Sequence, residues 1–252
     1  MLFVPLLLTA LPFLLFHKSD PTMPSKQRWF PLESNPELIN AYIAKLGFDT
    51  SLYQFVDVFS TEDWALEMIP QPVAAVVMLY PLSEKQEAHK DEIAVSSNVW
   101  YIKQRIGNAC GTIGLLHSLM NAPEGLQASY APDSWLSNFA ASCPSAMDPI
   151  QKAEHLEADN TIANLHDEAT SSSINSTDRG ELDDDINTHF VALVHSNGVL
   201  YELDGRKGGP VAHGPTSATS LLSDACQVVK KFMDRDPGEM RFTIMALAPK
   251  QD

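Results

Sequence analysis

Cysteine is scarce in this chain. There are three in 252 residues, at positions 110, 143 and 226. An odd number, widely spaced, gives no CxxC pair and no Cys/His metal spacing, which argues against structural zinc and against a disulfide framework. A reducing compartment follows as the simplest setting. Basic residues are also few: 17 Lys and Arg against 32 Asp and Glu, for a net charge of -15. Nucleic acid is therefore a poor partner, because phosphate binding wants a basic surface. Long apolar runs are lacking too. Leu2 to Phe16 is the nearest, and its fifteen residues fall short of the roughly 20 needed to span a bilayer. No Lys or Arg precedes this run, and Lys18 lies on the wrong side for a secretion signal. A cleaved signal, a weak anchor and an upstream extension before a start at Met23 all remain open, the last being favoured. Stable membrane insertion is not expected.

What is present reads as one folded domain over residues 27–250, preceded by an apolar extension at 1–26. Hydrophobic content of 44% is ordinary for a globular protein. Asn35-Pro36 opens a helix with an apolar stripe of Leu38, Ile39, Tyr42, Ile43 and Leu46, and Gly47 can stop it. Val73 to Leu79 is a continuous apolar run between prolines and reads as a buried strand. Glu84 to Glu92 is polar and predicts an exposed helix. Cys110 to Met120 predicts an apolar one. Asp133 can cap a helix carrying Trp135, Leu136 and Phe139, and Asp148-Pro149 starts another that runs to about Leu165. From Glu154 to Asp185 there are ten acidic residues and a single basic one, Arg179. The later half of that segment has too little apolar content to offset its ordering entropy and predicts a mobile loop. A helix from Ser220 to Met233 follows, and Met240, Phe242, Ile244 and Ala246 alternate as in a half-buried strand.

The clearest local structure is a hairpin. His189 to His195 and Val199 to Asp204 flank Asn197-Gly198, the preferred pair for a two-residue type I′ turn. That turn sets Val191 opposite Asp204, so His189, two residues away, shares a face with Asp204. Such diagonal neighbours lie roughly 7–8 Å apart at the backbone, within reach of longer side chains. A slip of one residue would put them on opposite faces.

Cys110 stands just before an apolar helix in Gly107-Asn108-Ala109-Cys110-Gly111-Thr112. A thiol at a helix N-terminus is stabilised as thiolate by the positive end of the dipole. A thiolate nucleophile needs a base, and the base an orienter. Among eight histidines, His17, His89, His155 and His166 lie in polar or terminal segments and are expected to be solvated. His117 is mid-helix and His213 lies in a Gly/Pro loop, neither with an evident carboxylate partner. His195 sits exposed at the hairpin end. His189 alone has one, in Asp204. Gln104 precedes Cys110 by six residues, where its amide can donate to an oxyanion together with the Cys110 backbone N–H. Cys143 and Cys226 fall in amphipathic helices and read as inert packing.

Taken together, these residues resemble the ubiquitin C-terminal hydrolase family of cysteine peptidases. QRIGNACGTIGLLH, Gln104 to His117, is similar to the family's nucleophile motif. THFVALVHSNGVLYELDGRKGGP, Thr188 to Pro210, is similar to its His and Asp segments, and RWFPLESNPE, Arg28 to Glu37, to its usual opening. The likeness runs from about Gln27 to Pro249. It implies a papain-like α+β fold, with a central antiparallel sheet flanked by helices and a knotted chain path. It implies that Cys110 is the nucleophile, His189 the general base and acid, Asp204 its orienter and Gln104 the oxyanion stabiliser. The segment at about 166–186 would be the crossover loop over the active site, restricting leaving groups to small adducts and short peptide extensions of ubiquitin. No metal or organic cofactor is implied. The partner would be ubiquitin or a related modifier, the enzyme a monomer, and the location cytoplasmic, with the nucleus as a further option and the apolar N-terminal segment leaving a signal or anchor open. An acidic enzyme would attract the basic face of ubiquitin, so its association rate should fall as salt rises. A non-catalytic ubiquitin-binding module of the same fold, or another papain-like peptidase or amidase, are the rival expectations.

Overall fold

The computed structural model describes residues 27–94, 99–176, 178–182, 184 and 186–251. The expected extension at 1–26 lies outside the described residues. In chain order the elements are α1 (Pro36–Leu46), β1 (Tyr53–Asp57), α2 (Asp63–Leu66), β2 (Ala75–Pro81), α3 (Glu84–Ala88), α4 (Cys110–Met120), α5 (Glu124–Gln127), α6 (Trp135–Ser142), α7 (Pro149–Ala158), α8 (Asn160–Thr170), β3 (Thr188–Ser196), β4 (Val199–Leu203), β5 (Val211–Pro215), α9 (Leu221–Arg235) and β6 (Thr243–Pro249). The six strands form one sheet in the order β1-β6-β2-β3-β4-β5, and every neighbouring pair is antiparallel. The fold is α+β, as expected.

Side-chain alternation sorts the sheet into two buried faces. Ala75, Val77, Phe190, Ala192, Val194, Met245 and Leu247 face a core shared with α1, α4, α6, α7 and α8. Val76, Met78, Val191, Leu193, Ile244, Ala246 and Ala248 face the other core, closed by α9. This two-sided cover explains one difference from expectation. The last strand is not half-buried: β6 lies between β1 and β2, and Ile244 to Ala248 are buried without interruption. Met240, expected to begin it, precedes the strand and is 85% exposed.

α1 starts and stops where its residues dictate. Asn35 accepts from the N–H groups of Glu37 (3.0 Å) and Leu38 (3.4 Å), and Gly47 takes φ 108° at the C-terminal end, a conformation that disfavours any side chain. The hairpin also has the expected register. Ala192 faces Leu203 and Ser196 faces Val199, with Asn197 and Gly198 both at positive φ, as a type I′ turn requires.

Elsewhere, local pattern yields to tertiary packing. The helix expected over 84–92 ends at Ala88, where His89 becomes extended. Gln86 within it is buried, and its amide donates to the Phe232 carbonyl at 2.6 Å. Ser134 rather than Asp133 caps α6; Asp133 adopts φ 57°. The helix expected from Pro149 to Leu165 is two helices. Asp159 breaks it in an extended conformation, and its carboxylate caps the second through the N–H groups of Thr161 (2.8 Å) and Ile162 (3.3 Å). α8 then continues to Thr170, so the irregular segment begins at Ser171 rather than at about 166. Among the described residues no helix is long and apolar enough to cross a membrane.

Candidate active site

α4 is the element that sets the site. All eleven of its residues, Cys110 to Met120, are buried, as an all-round apolar helix requires, and it packs against β3 of the sheet. Close approach is built into its first turn: a β-carbon on Gly111 would lie 2.8 Å from Leu32 Cβ. Ala109, at the N-terminal boundary, provides no side-chain cap. The first-turn N–H groups and the positive end of the helix dipole therefore serve the cysteine. The backbone N–H groups of Gly111 and of Phe190 on β3 both favour the charged form of Cys110.

His189 comes from the start of β3, and Asp204 directly follows β4. His189 Nε2 lies 2.6 Å from Asp204 Oδ1. The other ring nitrogen is thereby left for Cys110, whose thiol lies close enough to the imidazole for each to shift the other's titration. All three are buried, at 8% exposure for Cys110 and 3% each for His189 and Asp204. Burial acts to raise the Cys110 thiol, but the hydrogen bond and charge of His189 outweigh it, and the thiol titrates below its ordinary value. Burial acts likewise against a charged His189, yet the contacts with Asp204 and Cys110 raise it above an ordinary imidazole. Asp204 is held low against burial by its hydrogen bond and charge interaction with His189, and by the Arg206 N–H, which donates to Oδ1 at 2.8 Å. These shifts all act in one sense, favouring thiolate, imidazolium and carboxylate together.

Gln104 lies in the loop before α4 and touches the turn that carries Asp204. Its backbone N–H donates to Gly205 O at 2.9 Å. A β-carbon on Gly205 would meet Gln104 Cβ and Ile113 Cγ2, each at 2.8 Å. Glycine at 205 thus lets the loop, the Asp204 turn and α4 converge. The Gln104 amide donates to Ile106 O at 3.2 Å, while its Oε1 is buried and finds no partner among the described residues.

Several expectations about the other histidines change. His166 is not solvated: it is 1% exposed on α8, with Nδ1 2.8 Å from Thr112 Oγ1 and Nε2 2.7 Å from Phe30 O. Burial pushes it down to about 4. His213 does have a carboxylate: its Nε2 is 2.8 Å from Glu202 Oε2. Neither partner could be read from local pattern, since each contact depends on how separate elements pack. His117, also driven down to about 4 by burial, contacts the Ile102 backbone instead. The two remaining cysteines are buried, and burial raises both, Cys226 to about 11. Cys143 lies one residue beyond α6 rather than inside it. No group of three or more His, Cys, Asp or Glu suited to a metal occurs among the described residues.

Comparison with known proteins adds to this geometry. A family model described as "Ubiquitin carboxyl-terminal hydrolase, family 1" matches residues 29–234. Ubiquitin carboxyl-terminal hydrolase 3 of Arabidopsis thaliana is 40% identical over 233 residues, covering 90% of this chain and 96% of that protein. A ubiquitin carboxyl-terminal hydrolase of Aplysia californica is 42% identical, with 85% of this chain and 99% of that one covered. Among solved structures, the Trichinella spiralis UCH37 catalytic domain bound to ubiquitin vinyl methyl ester matches with a TM-score of 0.73. It covers 90% of this chain and 97% of that one at 20% identity, a likeness of fold.

Proposed function

The chain belongs to the ubiquitin carboxyl-terminal hydrolase family 1, and on that premise we propose that it is a cysteine hydrolase acting at the C-terminal glycine of ubiquitin, with Cys110, His189, Asp204 and Gln104 as its machinery. The observation that carries the residue assignment is the 2.6 Å contact of His189 Nε2 with Asp204 Oδ1, beside a buried Cys110 thiol whose titration the same imidazole lowers. In the first step the Cys110 thiolate attacks the glycine carbonyl carbon, and the carbonyl electron pair moves to oxygen. The Gln104 amide and the Cys110 backbone N–H stabilise that oxyanion. Collapse expels the leaving amine or thiol, which takes its proton from the His189 imidazolium and leaves a thioester on Cys110. Neutral His189 then removes a proton from water as it attacks the thioester. The carboxylate is released and the thiolate and imidazolium are restored. Asp204 keeps the ring aimed throughout.

The segment from Ser171 to Asn187 serves as the crossover that limits leaving groups to small adducts and short peptides. Several contacts dock it on the chain's opening stretch. Arg28 Nη2 donates to Asp184 O at 3.0 Å, and Ser176 N–H donates to the Glu33 carboxylate. Arg179 pairs with Asp167 and lies 3.5 Å over the Phe30 ring. Release of a fluorophore from the C-terminus of ubiquitin tests the function. Turnover is expected from the native chain and none from Cys110→Ala, which should still bind ubiquitin. Turnover by that variant would reject Cys110 as nucleophile.

A further inference from the structure

Asp204 sits at the mouth of a tight turn, Asp204-Gly205-Arg206-Lys207, closed by Lys207 N–H donating to Asp204 O at 3.0 Å. Nothing in the strand before it fixes the carboxylate's direction, because β4 ends at Leu203. The turn is held from outside. The Tyr101 hydroxyl lies 2.7 Å from Asp204 O and 2.7 Å from Lys207 O, so its single proton is shared between the two ends of the turn. Lys103 Nζ donates to Arg206 O at 2.6 Å and Lys207 O at 2.8 Å. Gln104 N–H takes Gly205 O, as described. Every carbonyl of the turn is thus gripped by one short stretch of chain, 101–104, which also delivers the oxyanion residue. Tyr101 itself cannot swing. Its ring is 3% exposed and stacks on His117 with centroids 5.1 Å apart and planes 10° apart.

We propose that Tyr101 is a positioning residue for hydrolysis: its buried hydroxyl staples both ends of the Asp204–Lys207 turn and so aims the Asp204 carboxylate at His189. Lys103 supplies a second grip on the outer half of the same turn. This role rests on Asp204 being the partner of His189 in the proposed hydrolase. The Tyr101 hydroxyl bonds to the Asp204 and Lys207 carbonyls rather than to the thiol or the imidazole, and acts through the backbone of Asp204. Besides Tyr101 itself, the titratable and charged groups around that carboxylate are His189, Arg206, Lys207, Lys103, His117 and Tyr80. Removing a neutral hydroxyl leaves all of their charges in place. Any change at the thiol therefore reports geometry rather than lost charge.

Tyr101→Phe tests the proposal, since it keeps the stacked ring and deletes only the staple. A loosened Asp204 stabilises the imidazolium less, and a weaker imidazolium stabilises the thiolate less. The pH inflection for alkylation of Cys110 by iodoacetamide, followed on its own peptide by mass spectrometry, should move upward by about half a pH unit. With a ubiquitin C-terminal fluorophore substrate, kcat should fall roughly threefold to tenfold with KM little changed. In an Asp204→Asn background the same substitution should have no further effect on either readout, because the group it aims has lost its charge. An unchanged inflection in Tyr101→Phe overturns the proposal. So does an equal fractional loss of kcat with and without Asp204→Asn, or a variant that does not fold at all, either of which makes the hydroxyl merely structural. The alkylation arm uses no ubiquitin. A native chain that alkylates at low pH but hydrolyses no ubiquitin substrate would sink the functional assignment while leaving the Tyr101 result readable.

Discussion

At the scale of single residues, the chemistry depends on a charge pair whose members are each disfavoured by burial and kept charged by the other. The thiol is lowered by His189, and the imidazole is raised by Asp204 and by Cys110. Hydrolysis should accordingly rise with pH below the ordinary thiol range, near 8.5, and fall only above the ordinary imidazole value, as His189 loses its proton. Asp204→Asn weakens this arrangement from its far end. We expect kcat to drop roughly 10²-fold and the Cys110 alkylation inflection to move up toward an ordinary thiol, with a pH series of both measurements as the check. The placement of Cys110 at a helix start, and of His189 and Asp204 side by side on one hairpin, is legible in the sequence because helix position and hairpin register are local quantities. His166 was not, because a polar neighbourhood in sequence said nothing about Thr112 and Phe30 closing over it from other elements. Tyr101 left no trace either, since its partners lie more than a hundred residues away.

At the scale of elements, boundaries were legible where a side chain closes its own cap and obscure where the fold decides. Asn35-Pro36 and Gly47 bounded α1 correctly, and Asn197-Gly198 fixed the hairpin. The break between α7 and α8 has neither glycine nor proline to announce it. Asp159 makes that break, and it also accepts from the Trp135 indole at 2.6 Å. Its carboxylate thus ties α6 to the start of α8. Asp159→Ala removes a cap and a tertiary contact together, and should cost about 1–2 kcal/mol as a lowered urea midpoint. Because α8 leads into the segment at Ser171–Asn187, the same variant should loosen that segment, seen as faster amide exchange there. The central strand β6 departs from its local pattern for a related reason: alternation of Met240, Phe242, Ile244 and Ala246 suggests one wet face, and only the sheet order reveals a neighbour on either side and helices over both faces.

At the scale of the whole molecule, two imidazoles among the described residues are buried with their charged form disfavoured. His117 and His166 both titrate near 4 when folded, against about 6.5 in an unfolded chain. Between those values the unfolded chain binds the additional protons, so stability is full above about pH 6.5 and declines as pH falls toward 4. Urea unfolding at pH 7 and pH 4.5 should differ by about 2 kcal/mol for each ring, and His166→Asn should flatten part of that slope. A profile that is level across this window would mean that both rings are accessible to protons in the native state.

The sheet order carries a consequence for how the chain is made. β1 and β2 are translated early, yet each borders a slot that neither can fill, because the strand between them is encoded after α9. An emerging chain therefore holds two exposed edges apart while most of the polypeptide is still being assembled, and sequential, hairpin-by-hairpin closure is denied to it. Folding must wait for a late wedge to slide between early neighbours. A ribosome stalled before Thr243 would present a half-built enzyme with an open seam, a natural client for chaperones that shield unpaired strand edges.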